Sequence, residues 1–312
     1  MYVPFISTSK RNVYRRKGGG GGGKGGGGGG GSSGGKSGSG GSSGDGSNSG
    51  RQSTIPLAGG AAASGSRSAS TYGAGGGRSI TIPSGQLFSG RTAGGGTRAQ
   101  VYGTRTYGSG YPGVASRGVA GLGFPFYFWP LAWGGGLGYG AAYLHTHEYG
   151  DPNNSSRPGG PMFAATLPSA SQNTTLHVLA DNSTVLSLVS SVQSNCSSLL
   201  SSSISAPVPY NDTDPSAPRP EQVVQYYRAS SIALSLDGYN DTAVLTGGND
   251  TTQQDVALPS WVDATFLDCV NQTIGLAAPL ISGADAQLAA PNQQMIGFVA
   301  LGWILWTLYF RI

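Results

Sequence analysis

The chain has 312 residues, 55 of them glycine, and a formal net charge of +4. Of these glycines, 45 lie in residues 1–144, and the stretch 18–50 is almost wholly Gly and Ser. A segment of this composition buries too little apolar surface to offset its ordering entropy. The composition therefore argues against two ordinary folded domains and predicts a disordered, basic Gly/Ser-rich arm over residues 1–117.

The small net charge hides a division between the two halves of the chain. Residues 1–117 carry 14 of the 18 Lys and Arg against a single acid, whereas residues 145–294 carry 13 of the 14 acids against three arginines. The basic arm is suited to anionic partners such as cell-wall polymers, lipid headgroups or nucleic acid. The alternative is that its charges only keep a glycine-rich coil solvated.

The stretch 118–144, "GVAGLGFPFYFWPLAWGGGLGYGAAYL", has no charged side chain. Its aromatic residues resemble those of a membrane span, but Pro125 and Pro130 each remove a backbone donor, and eight glycines weaken a helix further. We therefore predict an irregular Gly/aromatic segment and linker over residues 118–160. If 118–144 did span, as a signal-anchor, the basic arm would remain in the cytosol.

Residues 161–281 show the periodicities of a small α+β domain. Apolar residues recur at helical spacing from Asn182 to Leu200, and "TLHVLA" before them alternates like a strand. The remaining elements predicted here are a loop at 207–220, a helix or strand at 221–228, a strand from Ser231 and a helix over 260–274 with Ser260 as its cap.

Cys196 and Cys269, the only cysteines of the chain, each lie on the apolar stripe of a predicted helix. A disulfide between them would close a 73-residue loop and stabilise the domain by roughly 4 kcal/mol on the chain-entropy model. Two unpaired buried thiols are the alternative. We predict a bridge that joins two packed helices.

Every asparagine between residues 151 and 275 is followed two residues later by Ser or Thr, with no Pro between. Ser and Thr make up about a quarter of this segment, so nine matches in nine have chance odds of order a few in a million. The set predicts N-glycosylation, and hence a segment that enters the secretory pathway. The predicted sites are Asn153, Asn154, Asn173, Asn182, Asn195, Asn211, Asn240, Asn249 and Asn271.

The chain ends in "MIGFVALGWILWTLYFRI", which is apolar on every side and long enough for a thin bilayer. We predict a single transmembrane helix over 295–312, preceded by a polar stalk over 282–294. A glycosylphosphatidylinositol (GPI) signal is the alternative, because small residues from Ser282 precede a polar spacer and an apolar tail. The terminal Arg311 favours a retained helix.

Matches to catalytic and ligand motifs are weak. Residues 30–37 fit the phosphate-loop pattern, but both flanks are Gly and Ser instead of a strand and a helix. His145, His147 and Glu148 are too few for a metal site without a further ligand, and His177 has no evident partner. We predict no catalytic residue, no cofactor-binding residue, no metal site and no cofactor. Tyr and Arg interleave over 97–118, which is the best case for an intracellular RNA-binding or condensate-forming protein.

Three stretches carry a resemblance to a known family: "GSGYPGVASRGVAGLGFPFYFWPLAWGG", "AAYLHTHEYGDPNNSSRPGGPM" and "LADNSTV". With them, over roughly residues 78–200 and again in the tail, the chain resembles a family of uncharacterised glycine-rich fungal surface proteins of the basidiomycete type. The resemblance implies a secreted, membrane-anchored glycoprotein and brings no activity or functional residue with it.

The beginning of the chain departs from that family, because its apolar run is only six residues long before Lys10. We expect that a signal-peptide exon is missing from this sequence. We further expect a plasma-membrane or cell-surface protein that uses the secretory pathway, has a structural or interaction role, and has the membrane and possible anionic wall polymers as partners, with nucleic acid disfavoured. A tail-anchored protein facing the cytosol is the remaining topology. The sequence does not indicate an oligomeric state.

Overall fold

The computed structural model describes residues 52–57, 68–113, 117–134, 141–145, 147–171, 173–202, 204–246 and 256–281. Within these ranges the strands are β1 Gln52–Pro56, β2 Ser68–Tyr72, β3 Ile80–Thr81, β4 Thr92–Ala93, β5 Met162–Pro168, β6 Thr175–Asp181, β7 Val208–Pro209, β8 Val223–Tyr227 and β9 Ile232–Leu236. The α-helices are α1 Asn182–Asn195 and α2 Ala264–Ala277. Short 3-10 helices lie at Arg98–Gln100, Ala142–His145, His147–Tyr149, Pro220–Gln222 and Thr242–Leu245.

A five-stranded antiparallel sheet forms the centre of the domain, with strand order β7-β5-β6-β9-β8. Its strands β8 and β9 are buried at every position. Successive strand residues point to opposite faces, so both faces of the sheet must be covered. Tyr227 donates a hydrogen bond to Asn271 of α2, whereas the neighbouring Tyr226 packs on the ring of Tyr107. Helices therefore cover one face, and the segment before the sheet covers the other.

The two helices begin at aspartates that directly precede them. The Asp181 carboxylate accepts a hydrogen bond from the Thr184 amide at the start of α1, and the Asp263 carboxylate does the same for Phe266 in α2. Each satisfies an amide that has no partner within the helix. The cap predicted for α2, Ser260, was therefore three residues too early.

The predicted α+β domain with its disulfide is confirmed. The strands predicted at "TLHVLA" and from Ser231 correspond to β6 and β9, and the ambiguous stretch 221–228 forms a short 3-10 turn and then β8. The helix predicted over 260–274 runs instead from Ala264 to Ala277. The sequence reading missed β5, because "MFAATLP" alternates only weakly. The predicted loop at 207–220 contains the two-residue strand β7.

The folded domain begins earlier in the chain than predicted. Residues 68–113, assigned to the disordered arm, contain β2, β3 and β4, and β2 packs against α2. Val101 and Tyr107 are fully buried there. The predicted domain boundary near residue 161 was therefore wrong, since burial that offsets ordering entropy comes from contacts with the later sheet and helices, which composition alone does not reveal. Residues 1–51 and 58–67 of the predicted arm lie outside the described residues.

The segment 118–134 is irregular, as predicted, but it is not a linker. It has no helix or named strand, and its Phe124, Phe126, Leu131 and Trp133 side chains are buried in the core of the domain. Its backbone is tied to its surroundings, for example by the Leu131 amide, which donates to the Ser230 carbonyl oxygen. This segment is thus an aromatic part of the layer that covers the sheet.

In the part of the chain that the structure describes, no helix combines the length and the apolar character needed to cross a bilayer. The predicted stalk over 282–294, the predicted helix over 295–312 and the alternative attachment residue Ser282 lie outside the described residues. The phosphate-loop match at 30–37 lies outside them too.

Candidate functional site

The sequon asparagines mostly lie on the surface of the domain. Asn153, Asn173, Asn211 and Asn240 are exposed. Three more, Asn154, Asn182 and Asn271, are partly exposed. Asn249 lies outside the described residues. A glycan needs room around the side-chain amide nitrogen, so the exposed set offers usable positions.

Asn211 is exposed, and its side chain is held in a local turn. Its side-chain oxygen accepts hydrogen bonds from the Thr213 amide at 3.1 Å and from the Thr213 hydroxyl at 2.8 Å. This turn brings the two side chains that define the sequon together and leaves the amide group of Asn211 on the exposed side of a loop.

Asn173 and Asn271 are accessible but already engaged. The Asn173 amide nitrogen donates to the Trp261 carbonyl oxygen at 2.8 Å, which ties the β5–β6 turn to the start of α2. The Asn271 side-chain oxygen accepts from the Tyr227 hydroxyl at 2.6 Å. A secondary amide keeps one N–H after glycosylation, so these contacts do not by themselves prevent modification.

Asn195 differs from the other described sequons, because it is buried with 9% of its surface exposed. Its amide nitrogen donates to the Ser191 carbonyl oxygen at 2.7 Å within α1. The next residue, Cys196, forms the disulfide, and the Cys269 sulfur lies 3.7 Å from the Asn195 carbonyl oxygen. In the folded domain this sequon is closed.

Cys196 and Cys269 form a disulfide, as predicted, with Cα atoms 6.0 Å apart. Cys196 is the C-terminal cap of α1, whereas Cys269 lies in the middle of α2. Both are fully buried. The bridge therefore joins the end of one helix to the centre of the other, where the two helices pack together.

A buried arginine links the sheet, both helices and the aromatic segment, and the sequence did not point to it. Arg228 donates to the Asp181 carboxylate at 2.9 Å and to the Pro279 carbonyl oxygen at 2.7 Å. Its guanidinium carbon lies 3.3 Å from the centroid of the Phe128 ring. Burial lowers the pKa of Arg228 to about 10, and the nearby Asp181 carboxylate counteracts this shift. The charge is paired, as a buried charge must be.

The turn that carries Arg228 has unusual backbone geometry. Arg228, Ala229 and Ser230 have φ values of 51°, 50° and 60°, so three successive non-glycine residues are left-handed. Such residues are costly unless the surroundings hold them. Here the Ser230 hydroxyl accepts from the Gly108 amide, and the Ser231 hydroxyl donates to the Arg228 carbonyl oxygen. The contacts of the arginine and of this turn account for the conformation.

The described part of the Tyr/Arg stretch, residues 97–113 and 117–118, is folded into the domain. Arg105 is 3% exposed and donates to the Tyr239 hydroxyl at 2.7 Å, while Tyr107 donates to the Leu131 carbonyl oxygen. Arg98 donates to the Ala278 carbonyl oxygen at 2.6 Å, after α2. These side chains hold the irregular layer onto the sheet and helices, so they are not free to stack on bases.

His177 has partners that the sequence did not reveal. Its Nε2 atom lies 2.9 Å from the Asp237 carboxylate and its Nδ1 atom 3.2 Å from the Thr166 hydroxyl. This hydroxyl–imidazole–carboxylate order resembles that of a hydrolytic triad. However, Thr166 lies in mid-strand opposite His177, and neither cavity described below borders it. We interpret the row as cross-strand hydrogen bonding.

No group of three His, Cys, Asp or Glu residues in the described ranges could hold a metal ion. Near the His145–Glu148 motif, His145 contacts the Trp133 carbonyl oxygen at 3.2 Å, and Glu148 forms an ion pair with Arg91. The side chains of His145 and Glu148 thus already have partners within the domain.

Two cavities flank the short ribbon formed by β3 and β4. The first, of about 340 Å³, lies against Ile80, Ala93 and the aromatic side chains of Phe126 and Trp129. The second, of about 380 Å³, is a more open groove beside Thr92 and the adjacent glycines. Thr92 and Ala93 are neighbours in β4, so the cavities lie on opposite faces of the ribbon. No periodicity or motif in the sequence pointed to either.

A comparison with protein-family models finds no family that matches this chain, and searches of curated proteins and of solved structures find no match either.

Proposed function

We propose that this protein is a membrane-anchored, N-glycosylated, glycine-rich cell-surface protein with a structural or interaction role and no catalysis. The observation that carries the proposal is that exposed sequon asparagines and a disulfide occur on one domain. Disulfides persist in oxidising compartments, and N-glycans are added only to chains that enter the secretory pathway. The two features therefore point independently to the same compartment.

The anchor in this proposal is the apolar segment 295–312, with GPI attachment at Ser282 as the alternative. The resemblance to glycine-rich fungal surface proteins supports either form. In both cases the basic arm at 1–51 would reach anionic wall polymers from the outer side of the membrane, because its Lys and Arg attract polyanions.

The intracellular RNA-binding alternative loses its main support. It rested on the Tyr/Arg stretch at 97–118, in which Arg105, Tyr107 and Tyr111 are almost completely buried. Base stacking needs an exposed aromatic or guanidinium face. The glycine-rich arm alone offers only a nonspecific electrostatic contact.

Digestion of the expressed protein with an N-glycosidase tests the proposal. The full chain is produced behind a secretory leader in a eukaryotic host, and the same chain without a leader is the matched control. We expect digestion to increase the gel mobility of the first protein and to leave the second unchanged. If digestion leaves the gel mobility of the protein made with the leader unchanged, the proposal is contradicted and the intracellular RNA-binding alternative is favoured.

A second measurement separates the two anchors. Washed membranes are treated with a phospholipase that cleaves GPI anchors. We expect the protein to stay in the membrane fraction, as a retained helix requires. Release into the supernatant would instead establish the GPI form.

A further inference from the structure

The first cavity has the composition of a site for an apolar chain. Aliphatic residues of the ribbon, including Ile80 and Ile82, form one wall, and the rings of Phe126 and Trp129 form the other. Every described side chain that lines it is uncharged. Its volume of about 340 Å³ lies at the lower end of the range of roughly 300–1,000 Å³ for small-molecule sites.

The few polar groups of the cavity are too sparse for a sugar. Gln86, Ser156, the Tyr127 hydroxyl group and the Trp129 indole N–H are the polar side-chain groups among the described lining residues. A sugar ring carries hydroxyl groups all round, and those left without partners against apolar walls would cost free energy. An apolar chain with one polar end matches the walls and leaves Gln86 or Ser156 for that end.

Most of the cavity wall comes from a layer without sequons, although Ser156, which also lines it, is the third residue of the Asn154 sequon. Residues 49–152 contain no asparagine, so the layer that forms most of its walls carries no sequon. Leu87, which lines the cavity, keeps 59% of its surface exposed. An apolar side chain this exposed beside an apolar cavity suits a ligand that covers it.

The described chain also ends beside this cavity. The amide of Tyr127, a lining residue, contacts the Leu280 carbonyl oxygen at 3.5 Å. Leu280 lies one residue before the end of the described region, from which the chain continues towards the apolar segment 295–312. The cavity wall is therefore close to the point from which the chain continues to its proposed anchor.

We propose that this cavity binds an acyl chain of medium length, supplied either by a membrane lipid or as a free fatty acid. The site follows from the cavity walls and does not depend on the proposed function. Only the supply of the acyl chain from the membrane that anchors the protein rests on the proposed function.

Photolabelling of the full chain tests the site. The probes are a diazirine analogue of lauric acid in solution and phosphatidylcholine vesicles that carry a diazirine acyl chain. The protein is held in vesicles in both arms, since a detergent would compete for the cavity. Trypsin releases residues 79–91, which contain Ile80, Ile82, Gln86 and Leu87, separately from residues 99–105 and 106–117 of the second groove.

We expect label on residues 79–91 that unlabelled lauric acid displaces. Ala93→Leu, which fills the cavity, should reduce this label about tenfold or more, whereas Thr92→Leu on the other face of the ribbon should not. Leu87→Glu is a second variant, because it places a charge at an exposed lining position without filling the interior. A cooperative thermal unfolding transition like that of the wild type shows that each variant has folded.

Label in the vesicle arm identifies a membrane lipid as the source, and label in the free-acid arm alone identifies a free fatty acid. Either result supports the site even if glycosidase digestion contradicts the proposed function. Label confined to residues 99–117 or 282–312, or label that survives both Ala93→Leu and Leu87→Glu, would overturn the proposal.

Discussion

Gly96 lies where two stretches of the irregular layer come close together. A Cβ atom at this position would overlap the Pro125 carbonyl oxygen and lie 2.6 Å from the nearest ring carbon of Phe126. The obstacle is partly backbone, which cannot rotate away as the end of a flexible side chain can. At the residue scale, glycine here serves close packing and not flexibility.

Gly96→Ala should therefore destabilise the domain by about 1–3 kcal/mol through overpacking. Gly77→Ala is the matched control, since nothing lies within 4 Å of its added Cβ atom. Thermal unfolding of both variants measures the difference. Equal unfolding temperatures for the two would show that the contact of Gly96 with 125–126 does not matter to stability.

Glycan occupancy should follow burial at individual asparagines. We expect Asn211, which is exposed, to be occupied and Asn195, which is buried beside the disulfide, to be unoccupied. Mass spectrometry of tryptic and chymotryptic glycopeptides measures both. Asn211→Gln should remove one glycan from the intact mass, and Asn195→Gln should leave the glycan mass unchanged. Full occupancy at Asn195 would contradict the packing of α1 against α2.

Among the elements, α1 and α2 depend most on a covalent link. They pack on each other, α1 also contacts β5 and β6, and Cys196–Cys269 joins them across 73 residues of sequence. The described residues between the cysteines include the loops around β7 and the stretches 237–246 and 256–263, in which regular structure is sparse. A disulfide over such a span lowers the conformational entropy of the unfolded chain more than it changes the folded state.

Replacing both cysteines by alanine should lower the free energy of unfolding by roughly 4 kcal/mol. Urea titration measures the loss, and the wild-type protein in reductant should show about the same value. If reductant destabilises the wild type but the double variant is as stable as the oxidised protein, the helices do not need the bridge.

At the scale of the whole molecule, buried tyrosines stand out in the layer and in the sheet that it covers. Burial raises the pKa of Tyr149 to about 12, and it raises the pKa values of Tyr107, Tyr226 and Tyr227 well above the ordinary value. The folded protein thus holds these protons more tightly than the unfolded chain does. Their contribution to stability is complete below pH 10 and is lost as the pH rises through the folded-state values.

We therefore expect cooperative alkaline unfolding above pH 10, with delayed tyrosinate absorbance that reports the same transition. Burial lowers the pKa values of Arg157 and Arg228 to about 10, which acts in the opposite direction, but the buried tyrosines are more numerous among the described residues. The chain unfolded in urea is the control and should titrate near pH 10. If all tyrosines of the native protein titrate gradually near that pH, their side chains are not buried as described.

The layer also bears on the proposed membrane topology. Residues 68–113 pack against the helices and sheet that carry the sequons, and the aromatic residues of 118–134 lie in the core. In the proposed membrane-anchored form these stretches would lie on the same side of the membrane as the sequons, and 118–134, being packed into the domain, would not serve as a span.

A tag at the N-terminus should consequently be removed by protease added to intact cells, since residues 1–51 contain no apolar run long enough for a span. A second tag on a cytosolic marker protein checks that the membrane is sealed. Protection of the N-terminal tag on sealed cells would contradict the packing of 68–113 and 117–134 onto the domain that carries the sequons.

Local patterns in the sequence were sufficient for features that depend on neighbouring residues. The helical spacing of apolar residues predicted α1 and α2, alternation predicted β6 and β9, and the position of each cysteine on an apolar stripe predicted the disulfide. Prolines and glycines indicated that 118–134 forms no helix. Each of these signals acts within a turn or two of chain, so sequence periodicity is enough to read it.

Only the tertiary structure decided which residues belong to the domain and which sites are open. Residues 68–134 look like arm and linker by composition, yet the sheet face and the helices supply the burial that folds them. Asn195 and Asn211 carry equivalent sequons, but one is closed by α1 packing beside a distant cysteine. Arg228 donates a hydrogen bond to Asp181, and Ala93 lines the same cavity as Trp129, although each pair is far apart in sequence. Such contacts depend on chain topology, which local sequence patterns do not encode.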